Sequence, residues 1–160
     1  MAAEISDWFA SRIPSGWFVG PPEVTADSEE ILVIGSLPDS GPAGDSAEAR
    51  IQRFREETRE ERVKIAREAE RQFRRKVAWG ARYRAETKVF TTLSVPVMTR
   101  LRMAERSILD TLVAGGVARS RSDALAWCVR LVGMHQADWI KGLREALVKV
   151  DEARSRGPLN

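Results

Sequence analysis

Residues 99–128, TRLRMAERSILDTLVAGGVARSRSDALAWC, contain the pattern that decides how the C-terminal part of this chain folds. The stretch runs from alternating apolar and basic residues through an apolar helix pattern and a glycine break to a second apolar helix pattern. Residues 115–123, GGVARSRSD, place two arginines and two serines between the two helices. A fold prediction for this region must therefore explain why a basic, polar turn joins two apolar helices.

The residues before the first of these helices alternate with the period of a β-strand. Over 97–103, Met98, Arg100 and Arg102 lie on one side of such a strand, and Leu101 lies on the other. A single strand is not stable, because it leaves its backbone N–H and C=O groups unpaired. The pattern therefore predicts a strand that needs a partner strand.

The two helices have recognisable ends. Ile108 and Leu112 mark one face of the first helix, and Gly115-Gly116 supplies the break that ends it. Ser120, followed three residues later by Asp123, is close to the capping box that begins a helix. The sequence thus predicts the order strand, helix, glycine turn, helix.

The segment LDTLVAGGVARSRSDALAWCVR resembles the ribbon-helix-helix family of DNA-binding repressors, and the resemblance covers about residues 97–132. It implies an intertwined homodimer, in which one strand from each chain forms an antiparallel ribbon that enters the major groove of double-stranded DNA. The second chain would supply the missing partner strand. The function implied is that of a bacterial-type, sequence-specific transcriptional regulator.

The resemblance also implies roles for individual residues. Arginine guanidinium groups on the ribbon can pair with guanine O6 and N7, while a helix N-terminus favours phosphate. The base contacts implied are Met98, Arg100 and Arg102. The phosphate contacts implied are Arg119, Ser120, Arg121 and Ser122. The dimer core implied consists of Leu101, Met103, Ile108, Leu112, Leu125 and Val129.

Alternatives remain for each of these features. The ribbon strand could instead be 88–94, with Lys88, Phe90, Thr92 and Ser94 facing the groove and a longer first helix starting at Pro96. Arg100 and Arg102 could protect a solvent-facing edge strand by their charge. The serines and arginines of the turn could form an ordinary helix cap.

Residues 1–95 predict a separate α-β-β-α-β module, which together with 96–156 makes an α+β protein. A short helix is expected over 5–12, followed by a β-hairpin in which Val24 pairs near Val33. Residues 38–46 form a loop of Pro, Gly, Ser and Asp, and Ser46 or Asp45 can cap the next helix.

A long amphipathic helix is expected over 47–77, since this stretch contains no Gly or Pro. Its middle, REETREERVK, is almost wholly charged, and a belt of this kind is usually a solvated face. The segments KVAWGARYR and TKVFTTLSV then predict strands that complete a small sheet. A further helix, from about 136 to 153, is expected near the C-terminus, with a bend at Gly133.

Acidic residues are concentrated in the N-terminal part of the chain and basic residues in the rest, and this distribution limits the kinds of partner that each part can attract. Residues 1–46 carry one basic and eight acidic residues, whereas 47–160 carry twenty-five basic and fifteen acidic residues. The basic part can attract a polyanion, and the acidic N-terminal module can dock a basic protein partner. The sequence therefore favours nucleic acid as the partner of the C-terminal part.

Other classes of protein find little support in the sequence. A single cysteine and a single histidine, Cys128 and His135, argue against a metal site, and no catalytic motif or cofactor-binding motif is present. The longest apolar runs are too short for a membrane span, and the N-terminus lacks the basic start of a signal peptide. We therefore expect a cytoplasmic, non-enzymatic protein that joins the nucleoid when bound to DNA.

Two other functions remain open at this stage. The segment RRKVAWGARYR interleaves basic and aromatic residues, a pattern that suits phosphate contacts combined with base stacking in an RNA- or ribosome-associated protein. The helices could alternatively serve as surfaces of a non-catalytic scaffold.

Overall fold

A computed structural model describes residues 2–39 and 45–157 and confirms an α+β fold. The chain forms two compact units, Met1–Pro96 and Val97–Asn160. The part of the predicted loop at 40–44 lies outside the described residues.

The N-terminal unit is a four-stranded sheet with three helices. The sheet has the order β1-β2-β3-β4, with the central pair β2 and β3 parallel and both outer pairs antiparallel. The elements are α1 (Ala2–Arg12), β1 (Glu23–Ala26), β2 (Glu30–Ser36), α2 (Ala47–Glu57), α3 (Arg59–Phe73), β3 (Lys76–Tyr83) and β4 (Glu86–Val89).

The first hairpin forms as the sequence predicted. Val24 of β1 lies opposite Val33 of β2. Between the strands, the Asp27 carboxylate accepts hydrogen bonds from the backbone N–H groups of Glu29 (2.8 Å) and Glu30 (2.7 Å). These bonds lower the pKa of Asp27, because they stabilise the charged form. A short acidic residue thus holds the turn closed.

The prediction of one helix over 47–77 is wrong, because the helix is interrupted at Thr58 and ends at Phe73. The Thr58 hydroxyl donates to the Phe54 carbonyl oxygen at 2.6 Å, and this local bond competes with the regular helix hydrogen bonds. Arg74 then adopts the left-handed conformation (φ 57°), which stops α3. Val77, expected on the helix, lies in β3 opposite Ile31. The module is therefore α-β-β-α-α-β-β.

The core of this unit lies between one face of the sheet and the helices. Residues of β2 alternate between buried and half-buried, which puts Ile31 and Val33 in the core. The predicted N-terminal helix contributes Ile5 and Phe9, both fully buried. The predicted cap of α2 also forms, because the Ser46 hydroxyl accepts from the Ala49 N–H at 3.1 Å.

Gly35 of β2 is required by the ring that lies against it. A Cβ atom at this position would meet the Phe18 ring at 2.2 Å, well inside van der Waals contact. We therefore expect Gly35→Ala to lower the free energy of unfolding by about 1–3 kcal/mol, as overpacking does in other cores. Urea unfolding followed by tryptophan fluorescence measures this loss.

Gly133→Ala is the matched control for that substitution. Gly133 lies inside a helix, and an added Cβ would meet nothing within 4 Å. Because alanine stabilises a helix more than glycine does, Gly133→Ala should raise the free energy of unfolding by about 1 kcal/mol. Equal effects of the two substitutions would contradict the role assigned to the Phe18 contact.

The C-terminal unit consists of the helices α4 (Met103–Ala114), α5 (Arg121–His135) and α6 (Ala137–Ser155). The break before α6 falls at Gln136 and not at Gly133, where the sequence analysis placed a bend. The buried core here is small and consists of Leu109, Ala118 and Ala124, whereas α6 buries no residue. Within the described residues, no helix has the length and apolar character needed to cross a bilayer.

Candidate nucleic-acid interface

The segment expected to form the ribbon is in neither a helix nor a strand within the single chain. Residues 91–102 have no regular secondary structure, and Met103, expected at the end of the strand, is the first residue of α4. Arg102 has extended backbone angles (φ −79°, ψ 174°). Because the predicted ribbon needs a strand from a second copy, the extended conformation of this segment in the single chain leaves the ribbon over 97–103 as a prediction.

The alternative ribbon strand, 88–94, is wrong, because its first residues belong to the N-terminal unit. Lys88 lies in β4 opposite Ala81 of β3, so its backbone already belongs to the N-terminal sheet. Phe90 is buried in the core of the N-terminal unit, where its ring lies 6.2 Å from the ring of Phe54. The longer first helix from Pro96 does not form either, since α4 begins at Met103.

Side chains of the extended segment separate into an inner and an outer set. Leu101 packs against the Leu109 cluster, and its carbonyl oxygen accepts from Arg106 Nη1 at 2.7 Å. Arg100 and Arg102 are exposed and form no ion pair with the described residues. The two arginines predicted to contact bases are therefore exposed on either side of Leu101, which holds the segment against the helices.

The turn between α4 and α5 forms as the glycine pair predicts. Gly116 has φ +74°, a left-handed conformation that glycine adopts without strain. The N–H groups of Val117 (3.0 Å) and Ala118 (3.3 Å) donate to the Leu112 carbonyl oxygen. This bonding turns the chain back, so that Ala118 is buried against Leu109.

A reciprocal cap begins α5. The Ser120 hydroxyl accepts from the Asp123 N–H at 3.2 Å, and the Asp123 carboxylate accepts from the Arg119 N–H at 3.0 Å. Both residues were predicted from the sequence as the start of the helix. The Ser120 hydroxyl oxygen already accepts a hydrogen bond in the cap. If Ser120 contacts a phosphate, it would do so in addition to this structural role.

Arg121 makes a contact that the sequence analysis missed. Its Nε and Nη2 donate to the two carboxylate oxygens of Asp110, each at 2.7 Å, and so tie the start of α5 to α4. This pair lowers the pKa of Asp110, and its stabilising effect is lost as the pH falls through that lowered pKa, below 3.8. Asp110 and Arg121 lie on different helices on either side of the glycine turn, so no regular helix spacing predicts their ion pair.

Three of the predicted DNA contacts line a common surface, whereas Arg100, Arg102, Arg119 and Ser120 do not line it. A shallow hollow of about 320 Å³ is lined by Met98 from the extended segment and by Arg121 and Ser122 from the first turn of α5. The first turn of α5 also points its backbone N–H groups outward, as helix N-termini do. Residues 97–135 carry six arginines against three acidic residues. This surface is therefore basic and can receive an anion.

Half of the predicted dimer core is exposed in the single chain. Leu101, Leu112 and Leu125 pack around Leu109, Ala118 and Ala124. By contrast, Met103 is 79% exposed, Ile108 59% and Val129 66%. These three side chains leave exposed apolar surface on α4 and α5, the kind of surface that can contact another protein.

The remaining sequence candidates do not form a reactive site. Cys128 packs half-buried beside the Leu109 cluster, and His135 is exposed at the end of α5. Among the described residues, no three side chains of His, Cys, Asp or Glu stand close enough to hold a metal ion.

Fold and surface together define a class of α+β proteins with two units. The first unit is a sheet with helices, and the second consists of helices preceded by the basic extended segment 97–102. Residues 3–89 match the family model described as "Rv1265-like protein, N-terminal domain", and residues 102–154 match the "Mb1296 C-terminal domain". The chain belongs to the Rv1265-like protein family.

Relatives in two mycobacteria are similar over nearly the whole chain. The proteins Rv1265 of Mycobacterium tuberculosis (strain ATCC 25618 / H37Rv) and Mb1296 of Mycobacterium bovis (strain ATCC BAA-935 / AF2122/97) are each 52% identical to it over 161 aligned positions. The alignment covers 98% of this chain and 71% of each relative. No solved structure matches the chain.

Proposed function

We propose that this protein is a homodimeric, sequence-specific DNA-binding regulator. The observation that carries the proposal is the basic segment 97–102, which has no β-partner and leads directly into a helix pair with an exposed apolar surface. A second copy would pair with this segment and cover that surface at the same time. The resulting two-stranded ribbon has the width that the major groove admits.

Exposed apolar residues support the dimer. Removing one large aliphatic side chain from water is worth about 1.5–3 kcal/mol, and each chain exposes several of them on α4 and α5. Met103, Ile108 and Val129 are exposed on the two helices that carry the small Leu109 cluster, and a second copy would cover them. Within the described residues the C-terminal unit buries three apolar residues, and a second copy would enlarge this small core.

Charge supports DNA as the ligand. In the proposed dimer, Arg100 and Arg102 of both chains would face base edges. The phosphate contacts beside the N-terminus of α5 would be Arg119, Ser120, Arg121 and Ser122. Arg119 is almost fully exposed, and its Nε lies 3.9 Å from the Asp123 carboxylate, so its charge remains available. Affinity that depends on such contacts should fall steeply with salt.

The structure weakens the case for an RNA-binding function of the segment RRKVAWGARYR. Trp79 and Tyr83 are buried in the N-terminal core, and Phe73 packs against that core. These rings cannot stack on bases while the unit is folded. Basic side chains alone would give weak, non-selective binding.

Sedimentation and in vitro selection of duplex DNA test the proposal together. We expect a species of twice 17.9 kDa at micromolar concentration and enrichment of a two-fold symmetric site from random duplexes. A monomer at this concentration would overturn the proposal. A dimer that enriches no duplex, and binds none at low salt, would instead indicate a scaffold held together by the same apolar surface.

Two substitutions at the ion pair of α4 and α5 separate its structural role from contact with DNA. Arg121→Gln and Asp110→Asn both break the pair, but only Arg121→Gln removes a cation. We expect Arg121→Gln to weaken binding to all sequences and to reduce the slope of log K against log salt by about 1 for each phosphate that is no longer neutralised. Asp110→Asn should leave that slope unchanged, because Arg121 keeps its charge.

Fluorescence anisotropy over a range of salt concentrations measures both slopes. The two variants should be destabilised by similar amounts, since each breaks the same ion pair. Equal slopes for both variants and the unaltered protein would mean that Arg121 serves only the fold.

A further inference from the structure

A groove in the N-terminal unit lies where α2, α3 and the adjoining strands meet. It has a volume of about 630 Å³, within the range of small-molecule sites in proteins. Its walls combine arginine and glutamate side chains of α2 and α3 with aliphatic and aromatic side chains of α3, β3 and the residues that follow β4. All of these residues belong to the N-terminal unit, so the groove is complete without the C-terminal helices.

Arg62 is buried in the wall of this groove, although the charged belt around it was expected to be a solvated face. The residue is 7% exposed. Its Nε donates to the Thr58 hydroxyl at 2.9 Å, its Nη2 donates to the Arg55 carbonyl oxygen at 2.5 Å, and its guanidinium lies 4.8 Å from the centre of the Phe90 ring. Its Nη1 makes no hydrogen bond to the described residues.

The positive charge of Arg62 has no acidic partner in the described part of the chain. Its pKa is lowered to about 10, first by burial and then by repulsion from Arg55 and Arg59. It therefore stays protonated at neutral pH. A buried cation with two like charges beside it is unfavourable unless an anion joins the group.

The two acids in the wall are engaged with other residues. Glu70 binds Lys76 at 3.2 Å, and Glu56 accepts from the Gln52 amide at 2.7 Å. Arg59 is exposed and forms no ion pair with the described residues. Arg55, Arg59 and Arg62 follow one another at spacings of four and three and so share one helical face across the break at Thr58. The groove wall thus carries more positive than negative charge, with four arginines against two glutamates.

The opposite side of the groove is apolar and includes an unpaired donor. Val63, Ala66 and Val77 provide aliphatic surface. Trp79 is buried, and its indole N–H has no hydrogen-bond acceptor among the described residues, which is uncommon for a buried donor.

We propose that this groove binds an organic anion with a flat apolar body, whose carboxylate or phosphate meets Arg55, Arg59 and Arg62 while its body lies on Val63, Ala66 and Val77. Charge complementarity selects the anionic end, and the aliphatic wall selects the apolar end. Such a ligand would neutralise the arginine group. Every residue that forms the site lies before Pro96, so the proposal does not rest on DNA binding by the C-terminal unit.

Calorimetric titration of the full-length protein, without DNA, tests this site with chosen probes. The probes are 2-naphthoate, its neutral analogue 2-naphthylmethanol and inorganic phosphate. We expect 2-naphthoate to bind at least tenfold more tightly than either of the others, because only it carries both features. Equal binding of the acid and the alcohol would overturn the proposal, as would the absence of naphthoate binding.

Variants locate the binding in the groove. Arg59→Gln should weaken 2-naphthoate binding about tenfold, and Ala66→Phe should abolish it by filling the apolar side. Arg71→Gln is the matched control, since Arg71 is an exposed arginine of the same helix outside the groove, and it should bind as the unaltered protein does. Arg62 itself is left intact, because its bonds bridge α2 and α3.

The exposed apolar surface of the C-terminal unit could also take up an aromatic probe. Binding there would be insensitive to Arg59→Gln and Ala66→Phe. Unchanged affinity in both variants, with each shown to be folded by circular dichroism, would therefore overturn the proposal. Weaker binding in both variants and full binding by Arg71→Gln would support it.

Discussion

The double substitution Arg100→Ala with Arg102→Ala is expected to abolish the preference of this protein for its selected DNA sequence while leaving a folded dimer. Both side chains are exposed and without ion pairs among the described residues, so their removal costs the fold little. A bidentate arginine-guanine pair contributes about 1–3 kcal/mol of discrimination, and the dimer would lack four arginines at once. The ratio of specific to non-specific affinity should therefore fall to about 1.

Gel-shift titrations on the selected duplex and on a scrambled duplex measure that ratio. Arg154→Ala with Arg156→Ala is the matched control, because it removes the same charge from exposed positions near the C-terminus and should preserve the ratio. Lysine at 100 and 102 would keep the charge but not the paired donors, and should retain affinity while giving up most of the specificity. Unchanged discrimination by the alanine double variant would refute base contact through this segment.

Ile108→Glu is expected to convert the dimer into a monomer and to eliminate DNA binding. Ile108 is 59% exposed on α4 in the single chain, so glutamate at this place costs the isolated fold little. In the proposed dimer the same position is buried, and an unpaired charge there costs several kcal/mol. Since the proposed ribbon would form only from two chains, the variant should lose DNA binding together with association.

Sedimentation measures the change from twice 17.9 kDa to 17.9 kDa, and circular dichroism reports whether the helices persist. Ser107→Glu is the control, because the neighbouring position is exposed and polar and lies on another face of α4. It should remain a dimer. If Ile108→Glu also remained a dimer, the contact between the copies would lie elsewhere, and the proposed ribbon would be wrong.

Features that depend on nearby residues were predictable from the sequence. The Ser120 cap, the left-handed Gly116 and the Val24–Val33 pairing each follow from residues within about ten positions of one another. Hydrogen bonds over such short separations are available to the chain before any core forms. Their residue types are correspondingly specific, and the structure has them where the sequence predicted them.

Features that depend on distant residues were not predictable. The helix pattern over 47–77 contains no Gly or Pro, and the interruption at Thr58 occurs where Arg62 bridges the two helices beneath Phe90. Phe90 itself was considered for a DNA-binding ribbon, yet it completes the N-terminal core. Periodicity shows which side of a helix is charged, but it does not show that a charged side chain lies against a ring from another element.

By itself the sequence determined the α+β class, the local caps and turns, and the basic character of the approach to α4, because these depend on residue type and short spacing. The tertiary structure alone decided that Arg62 is buried, that Arg121 is held by Asp110, and that Ile108 and Met103 are left uncovered. Burial and ion pairing depend on which surfaces meet after the chain has folded. That information is spread over residues far apart in the sequence and becomes visible only when they are brought together.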